Sequence, residues 1–103
     1  MNPNYLKGRR LEYEIQHKLQ NAGWLAVRTA GSHSPIDIIA IRHNRIRIIQ
    51  CKAKPMGEKA LRSLHISILK ALAPYGIPNV EMNISIEICY KGKDGMQIWE
   101  GEL

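Results

Sequence analysis

Phenylalanine is absent from this 103-residue chain, and the other aromatics are few, with two Trp and four Tyr. A core without Phe must be built mostly from Ile, Leu, Val and Met. Only two cysteines occur, Cys51 and Cys89. Two do not make a disulfide framework, and they lack the close spacing of a zinc site. Each alternates with polar residues on an expected strand, so both are expected as reduced, half-buried thiols. No apolar run approaches the roughly 20 residues that span a bilayer, and the opening Met-Asn-Pro-Asn carries no apolar signal segment. A reducing, cytoplasmic compartment and no membrane partner are therefore expected. Internal repeats, low-complexity tracts and linkers are also missing, which with the length favours a single domain over residues 1–103.

Hydrophobic residues make up 45% of the chain and charged residues 23%, a globular balance. Fifteen Lys and Arg outnumber nine Asp and Glu, giving a net charge of +6. That excess suits a polyanion through counterion release, although an anionic membrane surface or an acidic protein would answer to it too.

Residues 5–22 read as a helix, with Leu11, Ile15, Leu19 and Ala22 at three-to-four spacing and Gly23 as its stop. Residues 24–28 read as a strand, followed by a loop of small residues that ends at Pro35. Residues 36–42 and 45–51 form an expected hairpin, with Asn44 in the His43-Asn44 turn able to adopt the left-handed conformation. Their isoleucines suggest central strands covered on both faces. Residues 58–73 predict a second helix, with Leu61, Leu64, Ile68 and Leu72 on one stripe and Ile66, Leu69 and Ala73 on another. The second stripe is either part of a broad buried face or a self-association surface. From Val80 to Tyr90 apolar and polar residues alternate as in a long half-buried strand, and residues 96–100 give a short last one. The order is α-β-β-β-α-β-β, an α/β fold with helices against a central mixed sheet.

Chemistry concentrates around Asp37 and Ile49-Gln50-Cys51-Lys52. Asp37 stands among isoleucines, where an unpaired carboxylate is expensive to bury. It must sit at a strand end, pair with a cation or bind metal, and a simple Asp37–Lys52 ion pair would suffice. Gln50 tips the balance, because an amide beside an ion pair in an isoleucine strand is hard to explain by packing. Gln50 and Lys52, two apart, share one face, so an amide oxygen, an ammonium and a carboxylate can converge on a divalent cation and a phosphate. That is the makings of a metal-dependent nuclease. Glu12 and Glu14 lie on one helix turn, and spacing does not choose between them. Lys7, Arg9, Arg10 and Arg28 flank the same end, with the Gly31-Ser32 loop between Arg28 and Asp37. Backbone N–H groups there can approach phosphate closely, and arginines can hold it bidentately. His33 is an auxiliary phosphate candidate. Cys51 should turn into the core.

With these residues assembled, the chain resembles the PD-(D/E)XK nuclease superfamily, and within it the archaeal-type Holliday-junction resolvases. The likeness runs through Lys7-Gly8-x-x-x-Glu12, Gly23-Trp24-x-Ala26-Val27-Arg28-x-Ala30-Gly31-Ser32, Asp37 and Ile48-Ile49-Gln50-Cys51-Lys52. Beyond Lys54 only the helix-then-strands order and Trp99 look similar. The resemblance implies a restriction-endonuclease-like core, Mg²⁺ (or Mn²⁺) as cofactor, and hydrolysis of a branched DNA such as a four-way junction. It also implies a site made of Glu12, Asp37, Gln50 and Lys52, with the Cys51 main-chain carbonyl as a further metal ligand. DNA contacts are expected at Lys7, Arg9, Arg10, Arg28, Gly31, Ser32, His33 and Lys54. Two symmetric cuts imply a homodimer, with the second stripe of the later helix as candidate interface. One departure is plain: the resolvases carry Glu where this chain has Gln50, and Gln-x-Cys-Lys looks instead like Mrr-type restriction endonucleases. Pro35 and Asp37 are also one residue further apart than the superfamily's name implies. Alternatives left open are a restriction-like or viral nuclease on linear duplex DNA, and a catalytically weakened DNA-binding module.

Overall fold

The computed structural model describes residues 3–29, 34–79 and 81–103, with side chains from residue 6 onward. Its elements follow the expected order: α1 (Pro3–Asn21), β1 (Leu25–Arg28), β2 (Ile38–Arg42), β3 (Arg45–Lys52), α2 (Glu58–Leu72), β4 (Asn83–Gly92) and β5 (Gly95–Gly101), with a 3-10 turn at Ala73–Tyr75 after α2. One sheet runs β1-β2-β3-β4-β5. All neighbours are antiparallel except β3 and β4. A parallel pair needs a crossover, which α2 supplies.

Each helix buries one stripe against one sheet face. Leu11, Ile15 and Leu19 of α1 recur every four residues and pack on Ile38, Ala40, Ile49 and Cys51. On the opposite face Leu61, Ile68 and Leu72 of α2 pack on Ile48, Ile84, Ile86 and Ile88. Burying one such Leu or Ile side chain contributes about 1.5–3 kcal/mol, so these two stripes fix how the helices sit on the sheet. The segregation follows from strand alternation, since Ile48 and Ile49 must look to opposite faces. This is the restriction-endonuclease-like α/β arrangement expected from the sequence.

Several local readings change. Ala22 does not extend the α1 stripe: it is exposed past the helix end, where Gly23 (φ 91°) reverses the chain. There Trp24 N–H reaches Leu19 O at 2.9 Å and Gly23 N–H reaches Gln20 O at 3.0 Å, closing the last turn through the glycine. In the β2–β3 turn the left-handed residue is His43 (φ 55°) rather than Asn44. The long strand expected to be half-buried is buried throughout Ile84–Cys89, because β4 lies inside the sheet between β3 and β5 with a packed core on each face. Val80, its expected first residue, lies outside the described residues. Cys51 and Cys89, partners across β3 and β4, are both free and buried rather than half-buried. Burial pushes the Cys89 thiol up to about 12 and the Cys51 thiol further, so neither is a nucleophile.

The buried polar face of β4 carries an unforeseen network. Glu87, 2% exposed, receives Arg47 Nε at 2.8 Å and Nη2 at 2.6 Å, and Ser85 Oγ donates to it at 2.7 Å. Trp24 lies against the Arg47 guanidinium, 5.0 Å from its ring centroid. Burial raises the Glu87 pKa, but these donors outweigh it and hold the carboxyl below the usual range. Of the second α2 stripe, Leu69 is drawn against the core, Ile66 remains 51% exposed and Ala73 lies exposed in the 3-10 turn.

Candidate active site

Asp37 stands where β2 loses its regular pairing with β3. Ile38 faces Ile49, yet the Asp37 N–H also reaches Ile49 O, at 2.9 Å. Two residues of one strand thus oppose one of the other, the signature of a bulge, which re-aims side chains and recurs beside active sites. The β1 side keeps its register: Arg28 faces Ile38, and Thr29 N–H donates to Asp37 O at 2.9 Å. The Thr29 hydroxyl donates to Ile36 O, and Ser34 Oγ accepts the Ile36 N–H at 3.1 Å. These bonds fix the backbone on either side of the carboxylate.

The re-aimed carboxylate takes the next donor along β3. Cys51 N–H donates to Asp37 Oδ2 at 2.8 Å. Cys51, Lys52 and Gln50 lie on the part of β3 that outruns β2. Gln50 and Lys52 share the α2 side of the strand with Ile48, while Cys51 turns into the α1-side core, as alternation requires. Gln50 is only 8% exposed, and its Oε1 is buried with no hydrogen-bond partner. A bare amide oxygen in that position is costly unless something electropositive meets it. Lys52 is half-buried and close enough to Asp37 to favour its charged form, but the two make no ion pair among the described residues. The simple Asp37–Lys52 ion pair is therefore not formed.

Between Glu12 and Glu14 the geometry chooses Glu12. It is half-buried, and the nearby Asp37 carboxylate helps to raise its pKa. Exposed Glu14 instead bridges Lys18 at 3.7 Å and Lys91 at 3.5 Å. Burial is the largest cause raising the Glu12 pKa, followed by repulsion from Asp37; Arg28 and Arg9 act against it. Burial likewise raises Asp37, opposed by the Cys51 N–H, Lys52 and Arg28. Two desolvated carboxylates, one of them raised further by the other's charge, favour an arriving cation.

Among the basic residues, Arg28 is drawn inward, with Nη2 3.5 Å from Glu12 Oε1 and its guanidinium 4.2 Å from the Tyr13 ring centroid. Arg9 lies over the same ring at 5.7 Å. Lys7, Arg10 and Lys54 are exposed. Gly31, Ser32 and His33 lie outside the described residues. Tyr13 was not foreseen, although its place four residues after Arg9 on a helix is legible in the sequence.

Among the described residues no three His, Cys, Asp or Glu side chains group as a metal cage. With Gln at position 50, the candidate oxygen donors are the Glu12 and Asp37 carboxylates and the Gln50 amide oxygen. No helix among the described residues is long and apolar enough to cross a membrane.

No curated protein matches the chain. The model of the archaeal Holliday junction resolvase family matches residues 3–66. That span takes in α1, β1–β3 and the first half of α2, and so includes Glu12, Asp37, Gln50 and Lys52. The chain belongs to the archaeal Holliday junction resolvase family, a family of DNA endonucleases of recombination and repair.

Proposed function

We propose that the protein is a divalent-metal-dependent endonuclease that cleaves four-way DNA junctions as a homodimer, through a site at the Asp37 bulge. The observation that carries this reading is the orphaned Gln50 Oε1, buried next along β3 to Cys51, whose N–H holds Asp37, while burial raises the proton affinity of both Asp37 and Glu12. Such a set fits a hard cation with oxygen ligands. Asp37, Gln50 Oε1 and the Cys51 main-chain carbonyl would hold it, with Glu12 acting directly or through water. The Cys51 carbonyl leaves β3 on the side of its N–H, which meets Asp37. When bound, Mg²⁺ (or Mn²⁺) supplies Lewis-acid polarisation of the scissile phosphate and acidifies a coordinated water.

The chain's own groups do the rest. Lys52, held on the strand face it shares with Gln50, orients the attacking water and meets the charge that develops on the phosphate. Arg28 neutralises part of the Glu12 charge until substrate arrives. Lys7, Arg9, Arg10 and Lys54 offer exposed cationic heads to phosphates along the DNA. One site per chain and two symmetric cuts per junction require two chains. Exposed Ile66 on α2 is the candidate point of contact.

The decisive assay incubates the protein with four-way junction and linear duplex of equal length, with Mg²⁺, Mn²⁺ or EDTA. Paired metal-dependent cuts in the junction support the reading. Equal cutting of linear duplex would remove the structure selectivity, and a strict monomer in sedimentation at micromolar concentration would remove the resolving dimer. A second reading, a DNA-binding module with weakened catalysis, draws on the missing third carboxylate. It predicts DNA retention without cleavage at any metal concentration.

A further inference from the structure

Tyr13 is an exposed aromatic on α1, one residue past Glu12, and its ring carries two guanidiniums: Arg28 at 4.2 Å and Arg9 at 5.7 Å. Two cations seldom share one ring unless they are held there, because they repel each other; the ring face and the nearby Glu12 offset that repulsion. Arg9 reaches Tyr13 from one helical turn earlier, whereas Arg28 comes from the end of β1. The ring is therefore the meeting point of α1 and the sheet beside the Asp37 bulge.

Arg28 is incompletely used in this arrangement. Its contact with Glu12 is a single long one at 3.5 Å, and its Nε is buried without a partner. A guanidinium meets a phosphate through a rigid fork of donors, so its orientation matters as much as its charge. Without the ring, Arg28 could close fully on Glu12 or turn into solvent, and in either case its fork would be lost to the substrate.

We propose that Tyr13 is a positioning residue, whose ring holds Arg28 and Arg9 side by side at the edge of the Glu12–Asp37 site so that both grip the DNA backbone next to the bond to be cut. This rests on the reading of that site as the place where a phosphodiester binds. Tyr13 does not touch the reacting atoms; it acts through the two arginines.

The experiment measures binding of a labelled four-way junction by anisotropy in EDTA over a range of salt, for wild type, Tyr13→Leu, Tyr13→Phe, Arg28→Ala and the Tyr13→Leu/Arg28→Ala pair. Leu at 13 weakens binding about tenfold and flattens the salt slope by about 1–2, because each phosphate contact contributes roughly 0.9. Phe keeps the ring but loses the hydroxyl that Arg9 and Arg28 also meet, so it binds more tightly than Leu and more weakly than wild type, and Leu adds little once Arg28 is gone. In single-turnover cleavage Tyr13→Leu raises the half-saturating enzyme concentration more than it lowers the saturated rate. Tyr13 is exposed, so the melting temperature stays near that of wild type; should Leu lower it, Tyr13→Gln measured well below its melt replaces it.

Unchanged affinity and slope for Tyr13→Leu would overturn the proposal. So would Phe as weak as Leu, a full further loss in the Arg28→Ala background, or wild type that fails to bind DNA. Cleavage by wild type with Mg²⁺ is scored separately: a protein that binds with the pattern above yet never cuts would sink the nuclease reading and leave the Tyr13 clamp standing.

Discussion

The carboxylate of Asp37 stands in for a strand. It accepts the Cys51 main-chain N–H at 2.8 Å, at a point where β2 no longer pairs with β3. One side chain thus satisfies a ladder donor in the sheet and presents a negative charge at the sheet's end. The two roles separate on substitution. Asp37→Asn keeps an oxygen for the N–H and removes the charge, so it abolishes metal-dependent cleavage while the melting temperature stays close to wild type. Asp37→Ala leaves a half-buried N–H unpaired and costs about 1–3 kcal/mol in addition. Denaturant melts run beside cleavage assays check both.

Asp37 and Glu12 also give the protein a pH signature. Both have folded-state pKa values raised above the ordinary carboxylate range, with burial as the main cause. Such groups cost nothing while protonated in both states. Stability falls as pH rises through the unfolded-state value and on through the raised folded one. The deficit should be smaller in Asp37→Asn, and Mg²⁺ should offset it in wild type. The expected result is a Mg²⁺-dependent rise in melting temperature at pH 7 that disappears near pH 4. A rise that is equal at both pH values would argue against these carboxylates as the metal's holders.

Gln50 and Lys52 point to one place and differ in what they contribute. Lys52→Ala should lower the single-turnover cleavage rate by about 10²–10³ with little change in junction affinity. Gln50→Glu places a carboxylate at the buried position next along β3 to the Asp37–Cys51 contact. It should shift half-maximal Mg²⁺ to lower concentration and lower stability in EDTA, because the new carboxylate is buried. A metal titration of cleavage with matched melts in EDTA reads both effects.

The Arg47–Glu87 pair makes a sharper claim about stability. Glu87 is held below the usual carboxylate range, so its contribution is present above that range and is lost as pH falls through it. Arg47→Met strands a buried charge and should cost about 3–5 kcal/mol. The double variant Arg47→Met/Glu87→Leu should recover much of that loss, since paired apolar groups replace the pair without leaving a charge behind. Urea unfolding of wild type, Arg47→Met, Glu87→Leu and the double variant at pH 7 measures the coupling.

The periodicities of α1 and α2 and the isoleucine strands were legible because a helix must bury one stripe and a strand one or both faces, which is local chemistry. Gly23 as helix stop, the β2–β3 hairpin and the shared face of Gln50 and Lys52 follow from the same rules. Asp37 was identifiable from sequence because a lone carboxylate among isoleucines demands an explanation. The archaeal Holliday junction resolvase family match, over residues 3–66, takes in Gly23, Asp37, Gln50 and Lys52.

Other features depended on distance in space. Glu12 and Glu14 flank the Leu11–Ile15–Leu19 stripe on opposite sides, and only the docking of α1 sets one near Asp37 and the other beside Lys91. Glu87 alternates like a solvent-facing residue, and it is buried because β4 ended up between two other strands, with Arg47 waiting on β3. The meeting of Arg28 with Tyr13, and the bulge that turns Asp37 toward Cys51, likewise need elements brought together from afar. Local pattern specifies which face a side chain takes. Which charges become neighbours is decided when the sheet closes, because electrostatic and hydrogen-bond energies depend on separations of a few ångströms that no spacing in the chain encodes.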